Sequence, residues 1–228
     1  MTEAEWLACE PNEMYFRAVA QLKSSARQKD LFCLACARLI WNLLEDDARK
    51  PFEWLEEHIG EREKPRSTGH VRELFDGPAQ SLYDAHHRRE GGVSGATAHV
   101  AYDFWAGWYE YAFPNLCEDY AIFREVLGAK PRNLLVSIIR DVFGNPFRPV
   151  ASDPAWFAWN DGAVPKLAQT AYEQRNMPEG TLDIGLLAIL ADALEEAGCT
   201  DADILGHLRG PGPHVRGCWP VDLCLGKS

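Results

Sequence analysis

Apolar residues recur at helical spacing along most of the chain. After residue 30 they stand three and four positions apart, as shown by Leu31, Leu34, Ala35, Leu39 and Leu43. This spacing places apolar side chains on one face of an α-helix, and that face can pack against a core. We find no segment with the period-two alternation of a half-buried β-strand. The pattern predicts an all-α fold: a compact multi-helix globular domain with irregular loops rich in proline and glycine.

Helix-capping signals predict where several helices begin and end. Thr2 and Glu5 have the spacing of a capping box ahead of a first short helix. After a second segment over about 11–25, Asp30 is expected to open a strong helix and Pro51 to begin another. A later helix is expected to start at Pro131 and to end where Gly144 can take the left-handed position after its last turn.

Four more helices are predicted toward the end of the chain. Asp161 is a candidate cap for the first, and the second covers about 184–197. The third covers about 201–208, with Thr200 as its cap. A short final helix is expected within 217–226.

Tryptophan is frequent, with eight copies in the chain. Most of these large rings are expected to lie in the core. The helix predicted over 96–112 is nevertheless the best candidate for a protein-contact surface, because aromatic side chains anchor interfaces. Its candidate contact residues are Tyr102, Trp105, Trp108 and Tyr109.

The formal net charge of −11 limits the classes of partner. Nucleic acid and anionic membranes reward basic surfaces, so neither is expected as the main partner. The chain starts without a basic, apolar leader and has no run of about 20 apolar residues, so a cytoplasmic protein is expected. Six acids and no basic residue lie within 182–203. They are interpreted as a solvated helix face, with a docking face for a basic partner or an outer shell for a cation as alternatives.

A Cys/His-rich segment near the end of the chain is the main candidate for metal chemistry. Its candidate ligands follow the spacing C-x7-H-x6-H-x3-C: Cys199, His207, His214 and Cys218. Thiolate and imidazole suit tetrahedral zinc. The gaps are unlike those of a standard zinc finger, but the turn "GPGP" can fold the chain back and bring the two histidines together. The alternative is that the cysteines pack as small apolar residues and the histidines cap helix ends.

Two further sets of residues contain cysteines that could carry chemistry. Cys33 and Cys36 form a C-x2-C pair that could be redox-active or half of a metal site, but they lie in an apolar helix and are interpreted as core. Cys218, His214 and Asp222 have the residue types of a thiol enzyme, although nothing in the sequence fixes their geometry. No catalytic residue is therefore assigned.

Four arginines lie in or beside the irregular segments: Arg140, Arg148, Arg209 and Arg216. Each is expected to pin loop carbonyls or to pair with a nearby carboxylate such as Asp141, Asp153 or Asp161. If their guanidinium groups point into a cleft instead, they would bind an anionic ligand.

Parts of the sequence resemble a bacterial family without an established activity. Its members open with "MTEAEWLAC", carry "LFxxACxRxIW", and close with "DIFGNPFRP", "WNDG" and "ILADALEEAGCTDADILxHxRxPGPHVRGCWxVDLxLGK". The match covers residues 1–10 and 31–41, and is almost continuous over 140–227; the stretch 46–130 is aromatic-rich here rather than Ala-rich. The resemblance implies a helical region over 1–130 and a C-terminal helical module over 131–228, packed as one unit. It supplies no mechanism.

Two functions are compatible with these observations. The first is a non-enzymatic helical protein that binds a protein partner, forms a homo-oligomer or serves as a regulatory protein. The alternative is a zinc-binding protein, structural or catalytic, that uses the Cys/His-rich segment. Seven cysteines, an odd number, fit free thiols or a metal in a reducing compartment better than a disulfide framework.

Overall fold

A computed structural model describes residues 2–8, 24–44, 46–59 and 131–227. The chain divides into two units, Met1–Val136 and Ser137–Ser228, which we describe separately. Within the described ranges the regular structure is helical and includes no strand, which confirms the predicted all-α class for that part of the chain. No helix in these ranges is long and apolar enough to cross a membrane. The proposed division at residue 130, with both parts packed as one unit, stays a prediction.

The described part of the first unit contains three helices and a short 3-10 turn. The helices are α1 (Glu3–Ala8), α2 (Ala26–Leu39) and α3 (Asp46–Glu57), and the 3-10 turn is Trp41–Leu43. A fourth helix, α4 (Pro131–Phe143), runs across the division between the units.

The second unit holds five more helices, all of them short to medium in length. They are α5 (Pro154–Ala158), α6 (Ala163–Glu173), α7 (Ile184–Glu196), α8 (Ala202–Leu208) and α9 (Trp219–Cys224), with a 3-10 turn at Trp159–Asp161.

The first two helix starts show how capping sets a boundary. The predicted box at α1 is confirmed: the backbone N–H of Thr2 donates to Glu5, and that of Glu5 donates to the Thr2 hydroxyl. The start predicted for α2 is wrong, because the helix begins four residues before Asp30. Ser25 and Gln28 form a second capping box there, and Asp30 is buried inside the helix.

The next two helices differ in how well their starts were predicted. Helix α3 begins at Asp46, before the predicted Pro51, and the Asp46 carboxylate accepts a hydrogen bond from Arg49 in its first turn. Helix α4 begins at Pro131 as predicted. Gly144 ends it with φ +63° and donates its N–H to the carbonyl of Arg140, which confirms the predicted helix end.

Two predicted caps in the second unit lie one residue from the observed ones. Gly162 caps α6, because Asp161 has φ 54° and belongs to the preceding turn. Asp201 rather than Thr200 caps α8, since its carboxylate accepts the N–H groups of Asp203 and Ile204.

The core of the second unit is built around α7. Leu187, Leu190 and Leu194 of this helix are fully buried and pack with Val164 and Ala168 of α6. Burying one such leucine side chain stabilises the folded state by about 1.5–3 kcal/mol relative to leaving it exposed to water. Helices α8 and α9 pack into the same core, which fixes the position of the polar residues that those two helices carry.

Candidate metal centre

Four side chains with metal-ligating atoms meet inside the second unit. They are Asp141, His207, His214 and Cys218, which we call the Asp/His/Cys cluster. One ligand atom from each residue lies within 4.8 Å of the other three. The residues come from the last turn of α4, from α8, from the segment after the "GPGP" turn and from the start of α9. The cluster therefore joins four separate segments and could hold a metal ion.

Asp141 lies at the centre of this cluster and is fully buried. Its Oδ1 accepts from His207 Nε2 and from His214 Nδ1, both at 2.8 Å. Its Oδ2 accepts the backbone N–H of Val215, also at 2.8 Å. Burial alone would raise the pKa of Asp141, but the hydrogen bonds from His207 and His214 outweigh it and the pKa is lowered. The carboxylate is therefore ionised at neutral pH and orients both imidazole rings.

His214 is held at both ring nitrogens. Its Nδ1 faces Asp141, and its Nε2 lies 3.2 Å from the carbonyl oxygen of Gly210. Burial opposes its charged form, yet the bond to the Asp141 carboxylate wins and the pKa of His214 is raised. Nε2 donates to the carbonyl of Gly210, and Nδ1 can ligate a metal once it has given up the proton that it donates to Asp141.

Cys218 is the fourth residue of the cluster and is fully buried. Its Sγ lies 3.5 Å from His207 Nε2 and 3.8 Å from His214 Nδ1. Burial, and next the charge of Asp141, raise the pKa of Cys218 well above its ordinary value. Without a cation the residue is a neutral thiol, which is the wrong state for a nucleophile.

The thiol-enzyme trio considered in the sequence, Cys218, His214 and Asp222, is not assembled in the way that such catalysis needs. His214 directs Nδ1 to Asp141 rather than to Asp222. The Asp222 carboxylate accepts a hydrogen bond from the Tyr172 hydroxyl instead, at 2.7 Å. This arrangement and the raised pKa of Cys218 disfavour a thiol nucleophile here.

His207 is the one member of the cluster that reaches solvent. Its side chain is 21% exposed, whereas those of Asp141 and His214 are at most 3% exposed. The His207 ring meets the His214 ring edge to face at 4.9 Å between centroids and lies 5.6 Å from the ring of Trp219. The indole of Trp219 in turn packs on Gly144, where a Cβ atom would lie 3.1 Å from it. The absence of a side chain at position 144 lets the indole stay beside His207.

Four of the six distances between ligand atoms in the cluster can be compared with those of a tetrahedral zinc site, and all six are within 4.8 Å. In such a site, sulfur and nitrogen ligands lie about 3.5 Å apart, and nitrogen and oxygen ligands about 3.3 Å apart. The two sulfur–nitrogen distances are 3.5 and 3.8 Å, and the two nitrogen–oxygen distances are 2.8 Å. A shift of about 0.5 Å between the carboxylate oxygen and the rings would open space for the ion. The cluster could therefore hold a metal ion.

A second buried network supports the backbone next to Cys218. The Tyr172 hydroxyl donates to Asp222 Oδ1 and accepts the N–H of Gly217 at 3.0 Å. Burial, and next the charge of Asp222, raise the pKa of Tyr172 well above its ordinary value, so the hydroxyl keeps its proton. The N–H of Cys218 donates to the carbonyl of Val215, which closes a tight turn.

The structure brings together three of the four predicted zinc ligands, and Asp141 stands where Cys199 was expected. The N–H of Cys199 bonds to the carbonyl of Leu194 at the end of α7, and its thiol lies in the apolar core near Cys224. In the sequence, Asp141 was named only as one of three possible partners of an arginine. The signal that could have identified it is its place on α4, three residues after Ile138, where a carboxylate interrupts a buried apolar stripe.

The arginines singled out in the sequence are not among the four residues of the cluster. Arg209 pairs with Asp192 and Glu195 at the surface, at 2.7 and 2.6 Å. The Nη1 atom of Arg148 lies 3.9 Å from Oδ2 of Asp203, also at the surface. Arg216 is half-buried.

Asp153 and Asp161, which were named as possible partners of those arginines, make local hydrogen bonds, and the expected pairs stay predictions. The Asp153 carboxylate caps α5, and the carbonyl oxygen of Asp161 accepts a hydrogen bond from Lys166. Part of the acidic run is accounted for in the same way: Asp183 and Asp201 cap α7 and α8.

The remaining candidates from the sequence are the cysteine pair of α2 and the aromatic contact residues. Cys33 and Cys36 are buried free thiols of α2, as interpreted from the sequence, and neither belongs to the Asp/His/Cys cluster. The proposed contact residues lie outside the described part of the chain: Tyr102, Trp105, Trp108 and Tyr109.

Comparison of the chain with protein-family models, curated proteins and solved structures gives no significant match. The function is therefore inferred from the Asp/His/Cys cluster itself.

Proposed function

We propose that this protein binds one zinc ion in the Asp/His/Cys cluster and that the ion is structural. The observation that carries the proposal is the convergence of four ligand atoms within 4.8 Å at a buried position. One sulfur, two nitrogens and one oxygen suit zinc, whereas magnesium and calcium prefer sites made of oxygen.

The charge of the cluster also supports zinc. A bound dication makes the Cys218 thiol give up its proton, so that Cys218 and Asp141 contribute two negative charges. With two neutral imidazoles the site then carries no net charge, which is what a buried position favours. Cys218 has a raised pKa in the absence of a cation, so zinc binding is coupled to proton release.

The burial of the ligands favours a structural role over a catalytic one. Catalytic zinc sites combine three protein ligands with an open position for water or substrate. Here four protein side chains supply ligand atoms, and only His207 reaches solvent to a substantial degree. The ion would connect the end of α4 with α8 and α9 in the second unit.

The alternative function, a protein-interaction or regulatory role, stays a prediction. Its candidate surface lies outside the described residues. The absence of enzymatic activity and the cytoplasmic location are likewise expectations from the sequence.

The direct test is the metal content of the full chain purified without a histidine tag. We expect about one zinc per chain, and loss of that zinc in Cys218→Ser. Cys199→Ser is the matched control, because Cys199 is also a buried cysteine of the second unit but is not in the cluster. It should keep the zinc. The proposal is wrong if the wild-type protein binds no zinc, or if both variants lose it equally.

A further inference from the structure

The hydroxyl of Tyr172 stands between the core of the second unit and the turn that carries Cys218. Tyr172 belongs to α6, and its ring is buried in the apolar core. Its hydroxyl accepts the N–H of Gly217, the residue before Cys218, and donates to Asp222, four residues after Cys218. One hydroxyl group thus holds the backbone on both sides of a cluster residue.

Further hydrogen bonds make this segment a single connected unit. The N–H of Asp222 donates to the carbonyl of Cys218 at 2.9 Å, and the N–H of Cys218 donates to the carbonyl of Val215 at 2.9 Å. The N–H of Val215 in turn donates to Asp141 Oδ2. A continuous series of hydrogen bonds therefore runs from Tyr172 through the Cys218 turn to the carboxylate at the centre of the cluster.

We propose that Tyr172 and Asp222 are positioning residues of the metal centre, which set the place of the Cys218 sulfur relative to the other three ligands. The proposal rests on the proposed zinc function. Neither residue belongs to the set of four ligands. Their role matches that of outer hydrogen-bond partners in metal sites, whose loss commonly lowers metal affinity about 10- to 100-fold.

A purely structural role for Tyr172 makes a different prediction. If its ring only fills the core, then any substitution that weakens α6 to the same degree should affect zinc equally. Val164 is a fully buried residue of the same helix, and its side chain offers no hydrogen bond to the Cys218 turn. Val164→Ala is therefore the matched control for Tyr172→Phe, which removes one oxygen atom and keeps the ring.

The experiment measures zinc affinity of the full chain by competition with a chromophoric chelator, next to urea unfolding of the metal-free protein. We expect Tyr172→Phe to weaken zinc binding by about tenfold or more and Val164→Ala by less than about threefold, at comparable losses of metal-free stability. The visible spectrum with cobalt in place of zinc gives a second readout. Its thiolate-to-metal charge-transfer band should weaken in Tyr172→Phe and stay unchanged in Val164→Ala.

The outcomes separate this inference from the proposed function. Equal effects of Tyr172→Phe and Val164→Ala on affinity and spectrum, with zinc bound normally by the wild type, overturn the inference alone. A wild-type protein that binds neither zinc nor cobalt overturns both proposals.

If Tyr172→Phe does not fold, the pair Asp222→Asn and Asp222→Ala takes its place. The amide oxygen of asparagine can still accept the hydrogen bond from Tyr172, so Asp222→Asn should retain a higher zinc affinity than Asp222→Ala. Equal affinities in that pair also overturn the inference.

Discussion

Two cysteine sites in this protein are alike in burial and differ in the side chains that surround them. Cys33 and Cys36 on α2, and Cys218 at the start of α9, are all almost completely buried. Burial is the largest cause of the raised pKa of both Cys36 and Cys218. In the sequence the C-x2-C pair resembles a metal motif more closely than the widely spaced Cys/His set does.

The difference lies in what the neighbouring elements bring to each thiol. The second cause of the raised pKa is another thiol, Cys33, for Cys36, and the carboxylate of Asp141 for Cys218. Among the described residues, the cysteine pair of α2 belongs to no group of three or more close ligand atoms. The comparison indicates that the proposed metal centre depends on several segments that converge on a buried carboxylate, and not on close spacing along one helix.

The largest effect that would sharpen this comparison is expected for Asp141→Ala. The change removes one ligand and leaves two imidazoles and the N–H of Val215 without their shared acceptor. We expect loss of stoichiometric zinc and a decrease of about 3–5 kcal/mol in the free energy of unfolding. Zinc analysis and urea unfolding measure the two effects.

The control for Asp141→Ala comes from the other cysteine site. Cys33→Ala removes a buried sulfur from α2 and should leave about one zinc per chain. Zinc loss of equal extent in the two variants would mean that the contrast between the sites does not hold.

A smaller effect should distinguish the two histidines of the cluster. His214 is buried and also bonds to Gly210, whereas His207 is partly exposed on α8. Water can therefore replace the His207 ligand, as it does in three-ligand zinc sites. We expect His207→Ala to keep one zinc with about 10- to 100-fold weaker affinity and His214→Ala to lose stoichiometric binding. Isothermal titration with zinc gives both values, and the reverse order would contradict the assigned geometry.

Features set by residues that are close together in the chain were predicted better than features set by residues that are far apart. Helix α4 and its end at Gly144 followed from local spacing and one glycine, because these features act within a few residues. The start of α2 was misplaced because Ser25 and Gln28 are polar and lie outside the apolar stripe. Such an error moves a helix boundary by a few residues and leaves the fold class unchanged.

The cluster itself depends on contacts that no local pattern contains. The proximity of His207 and His214 was anticipated from the turn between them. Asp141 is 66 residues from His207, and its contact exists only because the end of α4 meets α8 in the folded unit. Cys199 was included for its short distance along the chain, yet the turn after α7 directs it into the core. Three of the four cluster residues could be named from the sequence. The fourth, Asp141, could be identified only from the packing of the helices.

The smallest effect concerns the support of the cluster by Trp219. Gly144 and Gly198 both have positive φ, at +63° and +95°, so alanine at either position should cost about 1–2 kcal/mol of stability. Only at Gly144 would the new Cβ press on the Trp219 indole, because nothing lies within 4 Å of the Cβ position at Gly198. Trp219 borders His207, so Gly144→Ala should also weaken zinc binding, and Gly198→Ala should not. Chelator competition on the two variants measures this difference. Unchanged affinity in Gly144→Ala, at the expected loss of stability, would show that the indole does not hold His207 in place. The support of the metal centre would then come from hydrogen bonds alone.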